Sequence, residues 1–316
     1  MPSGRRIPRS RAWSSRIRGP IRPQLLAAFV ALQPGPRDPA LAERIPQLLH
    51  TVLSFGDEGQ TTAAIDEGRQ LFLKRGLPTV AEVGDEAAYE FVVLVCMSGP
   101  EETQAKVLAA ARRALKRQAV PPDAVLYCEA RARQERVKER ARLRPPADPA
   151  LRDEIRRLYA PDQAVRDAKG FDIEKMTETD HENAGPLEAM FESHGVPTYD
   201  MVGTEAASMF VVMVQHQSPE FRRRVLPKLE ANVAAGQADA ADYAMVYDRA
   251  SREAGREQRY GQNLECGGDT PILQLTPIED GTHVDTRRAG IGLLRLALYV
   301  RMVRELLGAC PGVPTK

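Results

Sequence analysis

One histidine stands where a polar site could form at the end of an apolar stretch. His216 closely follows the segment 205–214, which is apolar almost all round and predicts a buried helix. An imidazole at this position can transfer protons, hold a ligand or bind a metal. There is no second histidine three or four residues away, so the spacing does not favour a metal site. We predict that His216 is a general acid or base. The alternative is a core histidine that donates to a backbone carbonyl.

Asp248 and Arg249 lie on the polar side of a second predicted helix, 240–254. A carboxylate there could orient His216, and a guanidinium suits a bidentate grip on a carboxylate or phosphate. The alternative is a surface ion pair between Asp248 and Arg252, which are four residues apart. The sequence leaves both interpretations open.

Further polar residues follow in the C-terminal part. Gln258 and Tyr260 could donate to a bound polar group, or merely begin a strand with a glycine bulge. Asp285 and Arg288 could complete an anion site, or form a helix N-cap and its i+3 partner. The predicted site therefore has catalytic His216 and Asp248, no metal and no organic cofactor. Its ligand-binding residues are Arg249, Gln258, Tyr260, Asp285 and Arg288.

The sequence contains an internal repeat, and the candidate site residues lie in its second copy. The tetrapeptide Asp-Pro-Ala-Leu occurs at 38–41 and at 148–151, and Gly-x-Pro-Thr occurs at 76–79 and at 195–198. Where the second copy has His216, the first copy has Met97, so the polar site belongs to the second copy. We predict two homologous helical halves, 38–147 and 148–316, the first a degenerate copy of the second. A basic, disordered leader, 1–37, precedes them.

The hydrophobic periodicity predicts a mainly α fold. Helices are expected at 205–214, at 219–236 and at 240–254, with Asp239 as the N-cap of the last. A final helical region should run from Asp285 to Leu307. Between them, 259–264 and 271–275 flank a glycine-rich turn and predict a small β-hairpin.

Composition and charge exclude several classes of protein. The amino terminus, 1–24, holds seven arginines and no acid, while the rest of the chain has 37 bases and 43 acids. No apolar run is long enough for a membrane span. The chain after residue 24 has no row of basic residues with interleaved aromatic residues, so nucleic acid is not a favoured partner. The four cysteines, at 96, 128, 266 and 310, fit neither a zinc knuckle nor a disulfide framework. We therefore expect reduced thiols and a cytoplasmic protein.

The second half contains an ordered set of residues that carries a family resemblance. The set is Asp162, Arg166, Asp180, Asn183, Gly195, Pro197, Thr198, Val202, Gly203, Gln215, His216, Leu226, Pro227, Asp248, Arg249, Gln258, Tyr260, Gly261, the run 277–280, Val284, Asp285 and Arg288. With it the second half resembles a bacterial family of domains of unknown function, family 6624. The resemblance covers about 162–303, and it departs from the family after Gly261, where Gln262 and Asn263 replace the usual Thr-Gln. It implies a domain boundary and a residue set, but no activity.

Two functions remain open from the sequence. The first is a small-molecule enzyme, such as a hydrolase or lyase, or a ligand-binding protein, with a pocket for a small polar or anionic molecule. The alternative is a non-catalytic helical scaffold that recognises a protein or peptide, in which the polar residues form a structural network. Whether the chain is an enzyme is not decided at this stage.

Overall fold

Capping aspartates set the beginnings of several helices in this computed structural model. It describes residues 35–54, 56–97, 101–167, 172–267, 272–308 and 310. Asp38 and Asp148 each accept the backbone N–H three residues ahead and precede a proline in the first helical turn. Asp239 caps its helix as predicted, through the backbone N–H of Ala241. Local sequence therefore determines where these helices begin.

A buried helix forms the centre of the first hydrophobic core. Before residue 143 the structure describes the helices α1 Pro39–Leu53, α2 Glu58–Arg75, α3 Val80–Val83, α4 Asp85–Met97, α5 Glu101–Lys116 and α6 Pro122–Arg142. Ten consecutive residues of α4, 87–96, are buried, and α4 packs against α1, α2, α5 and α6. A helix that is apolar on all sides has to lie inside the molecule, which explains its central position.

The second core has a corresponding arrangement around another buried helix. Its helices are α7 Pro149–Asp167, α8 Ile173–His194, α9 Tyr199–Val202, α10 Thr204–His216, α11 Pro219–Ala234 and α12 Ala240–Glu253. Helix α10 packs against α7, α8 and α12 and ends at His216. The predicted helices at 205–214, 219–236 and 240–254 are confirmed to within two residues at each end.

The C-terminal part contains a short hairpin and two helices. Strand β1, Leu264–Glu265, pairs antiparallel with β2, Gln274–Leu275, so the predicted hairpin is confirmed but is shorter than expected. The last helical region is not continuous, because α13, Val284–Gly290, ends before Gly292, whose φ is +77°. Helix α14 follows at Leu296–Leu307, and a 3₁₀ turn, Gly281–His283, precedes α13.

The C-terminal helices pack against the first core. Ala289 and Leu298 are members of the cluster that surrounds α4. Arg295 holds Asp123 with its Nε at 2.6 Å, and its backbone N–H donates to the hydroxyl of Tyr89. Residues near the end of the chain thereby stabilise helices near its beginning.

The two copies of the repeat have similar local geometry. Thr79 and Thr198 each cap a four-residue helix, and Gly84 and Gly203 follow with φ of +87° and +84°. Homology of the two halves remains an interpretation of the sequence. The residues from Pro36 onward form one compact unit, and the division at 147 stays a prediction. The predicted leader lies outside the described residues up to 34.

The prediction of four reduced thiols is wrong. Cys96 on α4 is bonded to Cys128 on α6, and Cys266 after β1 is bonded to Cys310 beyond α14, with Cα atoms 5.6 and 5.5 Å apart. The two cysteines of each pair are more than thirty residues apart in sequence, so they form no recognisable sequence motif. The fold brings them into contact. Within the described ranges, no helix combines the length and the apolar character of a membrane span.

Asp242 is a buried acid that should make stability depend on pH. It lies in the first turn of α12, accepts a hydrogen bond from Ser208 Oγ at 2.7 Å, and is close to Asp239. Burial and the charge of Asp239 raise the pKa of Asp242 to about 7. The carboxylate of Asp239 is itself paired with Lys138, at 2.6 Å.

We expect Asp242→Asn to stabilise the protein, and increasingly so as the pH rises to about 7. The pKa of Asp242 is higher in the folded than in the unfolded chain, so its ionisation disfavours the folded state as the pH rises. Urea unfolding should show a gain of about 1–3 kcal/mol at about pH 8 and less near pH 5. An equal gain at both pH values would contradict this explanation.

Candidate functional site

The end of α10 is surrounded by arginines that bind its free carbonyl groups. Arg222 Nη1 donates to the carbonyl of Gln215 at 2.8 Å and also to that of Gln217, and Arg249 Nη1 donates to the carbonyl of Gln215 at 2.6 Å. The last carbonyls of a helix lack partners within it, and the helix dipole favours cations there. These contacts place two guanidinium groups next to His216.

Asp162 is the carboxylate that contacts His216. It lies on α7, is fully buried, and its Oδ1 is 3.2 Å from Nδ1 of His216. Gln163 donates to the other carboxylate oxygen at 2.7 Å. Burial on its own would raise the pKa of Asp162, but the contact with His216 and the nearby charges outweigh it, so the pKa is lowered. Asp162 is therefore ionised and accepts a hydrogen bond from Nδ1–H, which leaves Nε2 of His216 as the basic nitrogen.

Arg166 joins this pair to a second acid. Its Nη1 is 3.0 Å from Asp162 on the same helix, and its Nη2 donates to Asp180 on α8. Asp162, Asp180 and His216 each offer a ligand atom within 4.8 Å of the other two, a spacing suitable for a metal ion. The guanidinium of Arg166 already supplies positive charge between the two carboxylates. A metal ion at this place would have to compete with the guanidinium of Arg166, which is bonded to both carboxylates.

His216, Arg166 and Asp180 line an open cavity of about 610 Å³. The lining is rich in arginine and amide groups and consists of Arg166, Met176, Asp180, Gln215, His216, Gln217, Arg222, Arg249, Arg252 and Glu253. Three of the arginines are ion-paired: Arg166 with Asp162 and Asp180, Arg222 with Glu253, and Arg252 with Glu265.

Arg249 differs from the other arginines of the cavity. Its described contact is with a carbonyl, and it forms no ion pair with any carboxylate in the part of the chain that the structure describes. Burial and the nearby charge of Arg222 lower the pKa of Arg249, and the carboxylate of Glu253 offsets this only in part. Gln217 is also buried in the lining, and its Nε2 has no hydrogen-bond partner among the described atoms. Both groups are donors that a ligand could satisfy.

Asp248 belongs to a different arrangement from the one predicted. Its carboxylate is fully buried and accepts the backbone N–H groups of Arg259, Tyr260 and Gln262, at 2.8 to 3.2 Å. It therefore neither orients His216 nor forms the surface pair with Arg252, whose partner is Glu265. Because these N–H groups bond to Asp248, they do not extend the β-ladder, which explains the short hairpin.

The remaining predicted residues also make structural contacts and do not line the cavity. Gln258 Nε2 donates to the carbonyl of Asn263 at 3.0 Å, and Arg288 donates to the carbonyls of Leu294 and Tyr260. Asp285 accepts a hydrogen bond from the backbone N–H of Leu296 at 2.7 Å, so it caps α14 although it lies eleven residues earlier in the chain. Burial lowers the pKa of Arg288 to about 10.

Of the seven predicted residues, the structure brings His216 and Arg249 together at the cavity. Buried Tyr260 supplies a backbone N–H to Asp248 and a carbonyl to Arg288. The selection of site residues missed Asp162, Arg166, Asp180 and Arg222. The first three are part of the family resemblance noted above. That resemblance was the signal that could have identified them.

Comparison with known proteins establishes the family. Residues 147–310 match the model of a family of unknown function, DUF6624. The chain belongs to this family. The matched region spans α7 to Cys310, so it includes the His216 cavity and the Asp248 network. Neither the curated proteins nor the solved structures give a match.

Asp248→Ala should destabilise the protein much more than His216→Ala. The first change leaves the buried N–H groups of Tyr260 and Gln262 and the partly buried one of Arg259 without an acceptor, at about 1–3 kcal/mol for each buried group. The second removes one of three donors to the buried carboxylate of Asp162, which keeps its bonds from Gln163 and Arg166. Chemical denaturation should show a loss above about 3 kcal/mol for Asp248→Ala and about 1 kcal/mol for His216→Ala. Similar losses in the two variants would argue against a structural role for Asp248.

Proposed function

We propose that the protein binds a small anionic molecule in the His216 cavity and acts on it by proton transfer. The observation that supports this most directly is Arg249, a partly buried guanidinium without an ion-pair partner in the described chain, on the same wall as His216. An anion would compensate the charge of Arg249 and could accept a bond from Gln217 Nε2. Carboxylate and phosphate ligands both fit this chemistry.

His216 is the group proposed to transfer the proton. With Nδ1 held by ionised Asp162, its Nε2 can accept a proton from a bound ligand or from water, and Asp162 then stabilises the imidazolium. Arg166 keeps Asp162 in place through its bond to the same carboxylate oxygen. Asp162 therefore replaces Asp248 as the proposed orienting carboxylate. A hydrolase or lyase that needs no organic cofactor is the reaction class this set supports.

Arg249→Gln should weaken the binding of small anions. Losing a charge-assisted hydrogen bond costs about 1.5–3 kcal/mol, which corresponds to a Kd raised by about tenfold to a hundredfold. The measurement is calorimetric titration with inorganic phosphate, phenyl phosphate and benzoate, together with the shift of the melting temperature. Arg249→Lys should restore binding only in part, because an ammonium cannot make the bidentate contact.

Arg252→Gln is the matched control, since Arg252 lines the same cavity but is paired with Glu265. It should bind the probes about as tightly as the unchanged protein. His216→Asn should retain binding and lose any turnover of phenyl phosphate. Equal losses in the Arg249 and Arg252 variants would show that general charge, and not an anion site at Arg249, determines binding. If no probe binds, the helical scaffold becomes the better description.

The cellular location stays a proposal. The cytoplasm is the location that the sequence predicts, and the two disulfides argue against it, because disulfides persist mainly in oxidising compartments.

Alkylation of the freshly lysed source cells, followed by mass spectrometry, should find all four cysteines protected until a reductant is added. Cysteines that are alkylated only after reduction would support an oxidising compartment. Alkylation of Cys266 and Cys310 without reductant would restore the cytoplasmic proposal.

A further inference from the structure

One face of α6 carries three arginines without partners. Arg133, Arg136 and Arg140 fall at i, i+3 and i+7, so they share a side of the helix, and all three are exposed. None of them forms an ion pair with a described carboxylate. The other basic residues of this stretch are paired: Arg131 with Glu135, Lys138 with Asp239 and Arg142 with Glu139. Arg133, Arg136 and Arg140 are thus the basic residues of α6 without an ion pair among the described residues, and we call them the α6 basic face.

The α6 basic face borders a groove with apolar walls. The groove has a volume of about 560 Å³ and lies between α6 and the ends of α11 and α13. Val137, Val233 and Ile291 supply apolar lining next to the arginines. If the three arginines contacted water alone, an apolar groove beside them would have no role. The combination suits an amphipathic partner with acidic and apolar side chains.

Helix α8 presents the complementary surface. Glu174, Glu178 and Glu182 recur every four residues, are exposed, and have no basic partner in the described chain. The nearby Lys175 is paired with Asp172. Ile173 stands next to these acids with 71% of its surface exposed. We call these three glutamates and Ile173 the α8 acidic face.

We propose that the α6 basic face of one copy of the protein binds the α8 acidic face of a second copy. Residues four apart on a helix are about 6 Å apart along its axis, so the charges on the two faces recur at comparable intervals. Ile173 would enter the apolar groove, which adds burial to ion pairs that are individually weak. Like faces repel each other, so the contact joins different faces head to tail.

Sedimentation velocity over a range of protein concentrations tests this contact. At about 0.1 M salt the average mass should rise with concentration, and at about 1 M salt the rise should disappear because the charges are screened. The triple variants R133E/R136E/R140E and E174R/E178R/E182R should each weaken self-association by at least about tenfold. Mixed together, the two variants should associate again, because each then offers the charge that the other requires.

Circular dichroism and melting temperature establish that each variant is folded, and the single variants R136E and E178R replace any triple variant that is not. A monomer at all concentrations, association that persists in about 1 M salt, or variants that fail to associate on mixing would each overturn the proposal. Poly-L-glutamate is a further probe. Its binding to the α6 basic face, without self-association, would show that the groove takes an acidic partner other than a second copy.

Discussion

The buried carboxylate of Asp162 is the charge on which the arrangement of the site depends. A carboxylate that is fully removed from water is tolerated only when donors and positive charge surround it. Asp162 obtains them from Gln163, Arg166 and His216, and Arg166 extends the contact to Asp180. These contacts connect α7, α8 and the end of α10. The need of the Asp162 carboxylate for hydrogen-bond donors thus determines the orientation of His216 and the place where α7, α8 and α10 meet.

Local patterns predicted much of the fold because they act over a few residues. An aspartate at the first position before a helix caps it through a nearby backbone N–H, and Asp148, which precedes a proline, and Asp239, which precedes an alanine, both do so here. The apolar stretch before His216 predicts a buried helix for the same reason. The break between α13 and α14 was not predicted, since the positive φ of Gly292 depends on how the chain turns back onto the first core.

The candidate site could be predicted only in part, because its contacts join residues distant in sequence. Asp162 and His216 are 54 residues apart, and no spacing rule relates two helices at that separation. Asp248 seemed a suitable partner by type, yet its charge is used by the backbone of an irregular segment that begins eleven residues later. The cysteines illustrate the same limit, since both bonded pairs are formed by tertiary packing.

Two groups of polar residues in the matched region differ in how their side chains are held. The carboxylate of Asp248 and the guanidinium of Arg288 are held by backbone groups, and Gln258 is held by the adjacent loop, so this group holds the C-terminal segment in shape. Around His216, Arg249 and Gln217 keep donor capacity that the described protein does not use. An unpaired donor is costly when it is buried from water, as Gln217 Nε2 is beside the cavity. A bound anion would satisfy this donor and compensate the charge of Arg249, which is the physical reason for proposing the ligand at His216, whereas the contacts of Asp248 with the backbone give it a structural role.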